Sequence, residues 1–199
     1  MEIQRIYLTP NPYSRPGKKM HEVKGIVIHW TGVREQTAEA VRRFFEGRKA
    51  GSCGYGSAHY IIGWKKGEIV QCIPDEEIAY HVGSSQADPA SGRIYTDEAR
   101  ERFGKYAESP ESTNPNFCTI GIELCSADDE GNFTGAVIES AVALCAYLCR
   151  RHKLTAEDIT THHDVVGWKD CPRLWTAKPE LLEAFRQSVR DRIVRGYIA

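Results

Sequence analysis

The chain has 199 residues, 41% of them apolar and 27% charged, with a formal net charge of -1. These values suit one globular domain with a sizeable core, and the near-neutral balance argues against nucleic acid as the main partner. No apolar run approaches the length of a membrane span, so no membrane insertion is expected, and Met1–Tyr7 lacks the basic and apolar stretches of a secretory signal.

Seven cysteines, an odd number, with no signal ahead of them read as reduced thiols rather than a disulfide framework, with a Cys118–Cys125 bridge left open. Residues 8–20 are Pro-rich and polar and read as part of an extended N-terminal arm, 1–21, lying on a core of 22–185. Val23–Trp30 is apolar enough for a central strand buried on both faces, with His29 at its C-terminal end before the Thr31-Gly32 turn. Gln36–Arg48 reads as an amphipathic helix with Ala38, Val41 and Phe45 on its inner face, widened by Phe44.

Gly51–Gly56 is loop. Ser57–Trp64 and Glu68–Ile73 form a hairpin around Lys65-Lys66-Gly67. Ser84–Asn116 is a long polar loop with room for a short helix in Thr96–Tyr106. Cys118–Leu124 is a third strand that carries Glu123 inside an apolar run. Asp128–Asn132 is a turn, and Gly135–His152 is a helix apolar nearly all round, with Cys145 and Cys149 as core residues. A last helix starts at Lys178-Pro179-Glu180 and turns Leu181, Leu182, Phe185, Val189 and Ile193 inward. This order predicts an α/β fold, a single domain with a central mixed β-sheet flanked by helices on both faces.

Thr161–Arg173 gathers two imidazoles, a carboxylate, a lysine and a thiol. Thiolate with imidazole is a zinc-type donor set. With no Cys-x-x-Cys pair, the segment reads as a site open to water that draws a further ligand from elsewhere in the chain. Glu123, in its strand, is either a solvent-facing residue or a general base, and its sequence alone leaves the two even.

Five motifs then occur in one order: Val27-Ile28-His29-Trp30-Thr31, Ser57-Ala58-His59-Tyr60, Tyr80-His81-Val82-Gly83, Ile120-Gly121-Ile122-Glu123-Leu124, and His162-His163-Asp164-Val165 with Lys169-Asp170-Cys171-Pro172. Together they resemble the zinc-dependent N-acetylmuramoyl-L-alanine amidases of the type-2 family, over roughly residues 8–185, and Asn11–Gly17 looks like the phage and prophage endolysin branch. The resemblance implies one Zn2+ held by His29, His162 and Cys171. It implies Glu123 as the general base and Lys169 beside the oxyanion, with peptidoglycan as the partner. His81 is expected at the rim of the substrate cleft and His59 behind it, with Trp30 either lining the groove or packing in the core or beside the site.

Two departures stand out. Ala58 occupies a position where some relatives carry a catalytic tyrosine, and the stretch from His162 to Lys169 is one residue longer, with Trp168 extra. The longer stretch leaves His163 as the alternative to His162. The implied activity is hydrolysis of the amide between N-acetylmuramic acid and L-alanine in peptidoglycan, by an enzyme made in the cytosol that acts on the wall after release, with no wall-binding domain in view. The rival is a non-catalytic peptidoglycan-recognition module of the same fold.

Overall fold

In the computed structural model, residues 1–83, 86–87, 92–104 and 114–196 are described. The two apolar runs form neighbouring parallel strands, β2 (Gly25–Trp30) and β5 (Thr119–Leu124), at the centre of the sheet. Outside them lie β1 (Ile3–Arg5), β3 (Tyr60–Ile62), β4 (Ile69–Gln71) and β6 (Ile159–Thr161). The order across the six-stranded sheet is β1-β4-β3-β5-β2-β6. Only the β3/β4 hairpin is antiparallel, so the sheet is mixed, as expected.

Side-chain alternation along a strand sends successive residues to opposite faces. Ile26 and Ile28, with Ile120, Ile122 and Leu124, pack on one face in a core shared with α3 (Gly135–His152) and α6 (Glu180–Arg195). Val27 takes the other face, with Ala99 and Phe103 of α2 (Asp97–Phe103) and Val165 and Val166 of α4 (His162–Val166). Ile61 and Val70 also face away from α3 and pack on Ala38, Val41 and Phe45 of α1 (Ala38–Gly47). A short α5 (Arg173–Ala177) leads into α6. Cys145 and Cys149 are buried in α3, and all seven cysteines are free thiols, Cys118 and Cys125 included.

The structure corrects two expectations. The N-terminal arm is partly built into the sheet, because Ile3–Arg5 pairs with β4 and Leu8 is buried. Phe44 does not widen the buried face of α1. It is 55% exposed, with the Arg48 guanidinium over its ring at 4.8 Å. The segment before the two histidines forms a further strand, β6. The helix within Thr96–Tyr106 spans Asp97–Phe103, and most of the remaining 84–113 stretch lies outside the described residues. Among the described residues no helix is long and apolar enough to cross a membrane.

Candidate metal centre

His29 and Glu123 are register partners at the C-terminal ends of β2 and β5. Alternation sends both to the face opposite α3, where α4 begins. That beginning is fixed locally. Thr161 caps α4, its Oγ1 accepting from Asp164 N–H at 3.1 Å, while Asp164 Oδ2 accepts from Thr161 N–H at 3.0 Å and from Thr160 Oγ1 at 3.0 Å. This capping box puts His162 at the first helical position, its ring against His29, with the two Nδ1 atoms 3.1 Å apart. Asp164 is consumed as the cap.

The chain then turns back on itself. Gly167, at φ 78°, ends α4 in a conformation that favours glycine, and its N–H bonds His163 O at 2.7 Å. His163 N–H donates to Cys171 O at 2.9 Å, and His163 Nδ1 lies 3.1 Å from Lys169 O. These contacts bring Cys171 beside His29 and His162. His163 is thereby turned toward the Lys169 carbonyl, while the buried His162 faces His29, so the longer His162–Lys169 stretch does not shift which imidazole enters the cluster.

His29, His162 and Cys171 each offer one ligand atom within 4.8 Å of the others, and all three are buried. Burial, and then the neighbouring cations and imidazoles, hold His29 well below the ordinary imidazole pKa, and burial pulls His162 down to about 3. Both rings are therefore neutral at pH 7, the form that binds metal. Burial, reinforced by Glu123, pushes the Cys171 thiol up to about 12, against the backbone N–H of Trp30, which points at Sγ from 3.4 Å. A cation at the site would reverse that order and favour the thiolate.

Glu123 is only partly buried as a residue, yet its Oε2 is shut from solvent and has no hydrogen-bond partner. Desolvation raises its carboxyl to about 7, opposed by Lys169. Lys169 is exposed, but its charge reaches Glu123, His29, His162 and Cys171. Among the described residues, His162 Nε2 is the other buried, unpaired polar atom of the cluster.

Trp30, His81 and His59 stand at different depths in the fold. Trp30, one residue beyond His29, leaves the opposite face of the sheet, and its indole Nε1 donates to Ser126 Oγ at 2.8 Å. His81 is not at a rim. It is buried behind His29, its Nδ1 3.0 Å from His29 Nε2. His59 is wholly buried beyond it, with Nδ1 accepting from Gly121 N–H at 3.0 Å and Nε2 2.9 Å from Glu77 O. The sequence reading missed Asp164 as a cap and the Trp30 backbone as a donor to sulfur. The first was legible in Thr161-His162-His163-Asp164, which has capping-box spacing; the second needed the fold.

A buried His–His–Cys set beside a carboxylate, at the C-terminal ends of central strands, has the donor types of a metal centre. Residues 19–174 match the N-acetylmuramoyl-L-alanine amidase family, Amidase_2, and the chain belongs to that family. A probable N-acetylmuramoyl-L-alanine amidase of Bacillus licheniformis is 33% identical over 193 residues, which are 97% of this chain and 48% of that protein. BlyA, an N-acetylmuramoyl-L-alanine amidase of Bacillus subtilis strain 168, is 31% identical over 188 residues, 94% of this chain and 46% of its own length. The chain thus spans about half the length of these curated relatives. The catalytic domain of PlyG superposes with a TM-score of 0.68 at 22% identity, over 98% of this chain and 96% of that one. That of XlyA gives 0.66 at 20% identity, over 95% and 99%. These two likenesses establish the fold.

Proposed function

We propose that the chain is a zinc-dependent hydrolase that cuts the amide between N-acetylmuramic acid and the L-alanine of the peptidoglycan stem peptide. The observation that carries this reading is the convergence of His29, His162 and Cys171 beside an unpaired carboxylate. Family membership supplies the bond to be cut, as do relatives named for that amide.

His29, His162 and Cys171 would hold one Zn2+, a sulfur–nitrogen donor set that suits zinc. Bound there, zinc supplies the Lewis acidity that makes water a nucleophile near neutral pH. Glu123 takes the proton of the attacking water and returns it to the leaving amine of L-alanine. Its carboxylate is shut from solvent at Oε2 with no competing hydrogen-bond partner, which leaves it free for both transfers. Lys169 sets a positive charge next to the oxyanion that develops on the carbonyl oxygen. Trp30 N–H holds the sulfur of Cys171 in place.

The test is incubation of the zinc-loaded protein with purified peptidoglycan, followed by labelling of new alanine amino groups. Their release, strongly slowed in Glu123→Gln, is the expected result. Binding to peptidoglycan without release, in a protein that contains zinc, would assign it instead to a recognition module of the same fold.

A further inference from the structure

Behind His29 lies a chain of ring contacts that the hydrolytic reading leaves unused. His29 Nε2 is 3.0 Å from His81 Nδ1, and His81 Nε2 is 3.1 Å from the Thr119 carbonyl oxygen. Thr119 Oγ1, 3.3 Å from the same nitrogen, already donates to Pro115 O at 2.7 Å. His81 Nε2 therefore faces only acceptors and must carry the proton. Its Nδ1 is then bare, and the atom opposite, His29 Nε2, must donate. A neutral imidazole has one proton, so His29 Nδ1 is left bare, aimed at the space it shares with His162.

The position of the His81 ring is built in from two sides. Asn116 Oδ1 accepts from the backbone N–H of His81 at 3.0 Å and of Val82 at 2.9 Å. Gly121 leaves a notch in β5 that the ring fills: a Cβ there would stand 2.5 Å from His81 Cγ. This explains the glycine within β5, two residues before Glu123 and on the same face.

We propose that His81 is a positioning residue, seated by Gly121 and Asn116, that fixes the tautomer and orientation of His29 so that Nδ1 is presented to the metal. The proposal rests on the reading of His29 as a zinc ligand. An imidazole ligand whose second nitrogen donates to a fixed acceptor is held in the ligating tautomer, and loss of such a partner costs about 10- to 100-fold in metal affinity.

Two measurements test it. Zinc affinity, by competition with a chromophoric chelator, is compared in the wild type, His81→Leu and His81→Asn, alongside the melting temperature of each zinc-free protein. Leucine removes the acceptor, whereas asparagine keeps an oxygen near the place of Nδ1. His81→Leu should bind zinc about 10- to 100-fold more weakly, and His81→Asn should recover most of that loss. Wild-type affinity in His81→Leu, or equal weakness in the two variants, overturns the proposal.

The second measurement needs no variant that folds. In long-range 1H–15N spectra of zinc-loaded, 15N-histidine-labelled protein, His81 should show a proton on Nε2 and a bare Nδ1. A proton on His81 Nδ1 overturns the assignment. A wild-type protein that binds no zinc would remove the metal-centre reading itself, and the proposal with it, an outcome distinct from either result above.

Discussion

The sheet carries two buried polar clusters, finished differently. Around Asp75, 5% exposed, every acceptor site is used. Tyr60 O–H and Gln71 Nε2 donate to Oδ1 at 2.5 and 3.1 Å, while His152 Nε2 and Arg151 Nε lie 3.2 Å from Oδ2. Around His29 the accounting is open: Glu123 Oε2 and His162 Nε2 are two of the three buried side-chain atoms without a partner among the described residues. Buried polar atoms are rarely left unpaired, because each costs about 1–3 kcal/mol. The closed cluster ties strands to α3; the open one keeps its unspent capacity for a ligand and a substrate.

That contrast can be broken from either side. The largest effect belongs to the open cluster: Cys171→Ala should abolish zinc binding and amidase activity together, with the zinc-free melting temperature little changed. Elemental analysis beside calorimetry checks it. Glu123→Gln should keep zinc yet slow hydrolysis by about 10²–10⁴-fold, the range of a lost general base, as read in single-substrate kinetics.

The closed cluster should answer in stability and not in activity. Asp75→Ala leaves the buried Tyr60 hydroxyl without its acceptor and should cost about 1–3 kcal/mol, measured by urea unfolding, with zinc affinity unchanged. Hydrogen bonds from His152 and Tyr60 outweigh desolvation and hold the Asp75 carboxyl below its ordinary value. Its contribution is therefore present above the unfolded-state pKa and lost as pH falls through the depressed one.

Glu123 has the opposite sign. Its carboxyl is raised from 4.5 to about 7, so in the zinc-free protein stability falls as pH rises between those values, where the unfolded chain has already released a proton that the folded chain retains. Glu123→Gln removes that penalty and should stabilise the zinc-free protein by roughly 3 kcal/mol at pH 8 and by nothing at pH 4. The smallest effect is at the start of α4. Thr161→Ala deletes the cap and should cost about 1 kcal/mol, with zinc affinity reduced because His162 loses its fixed entry.

Much of this was legible from residue order. Val23–Trp30 announced a central strand by its apolar run, Cys118–Leu124 announced a strand, and the inner residues of α3 and α6 followed from helical spacing. β1 and β6 were not legible. Each has three residues, and the Thr160 and Thr161 side chains are buried only because Asp164 bonds their hydroxyl and backbone groups. Phe44 misled because it lies just beyond the buried arc of α1, and at that edge the Arg48 contact decides where the ring rests.

The site was legible as residue types and only partly as places. The ligand candidates stand where strand ends and a capped helix can bring them together. Between the two readings left open for Trp30, alternation from His29 sends it to the opposite face, where its indole bonds Ser126. His81 was misplaced because its seat is the missing side chain of Gly121, a relation across strands that no local pattern records.

The account stands on the open cluster being the metal centre, and X-ray absorption at the zinc edge of the loaded protein tests this most directly. The account predicts one sulfur neighbour at about 2.3 Å and two imidazole nitrogens at about 2.0–2.1 Å, with the sulfur lost in Cys171→Ala. A first shell of nitrogen and oxygen alone, or a sulfur that survives that substitution, would contradict it.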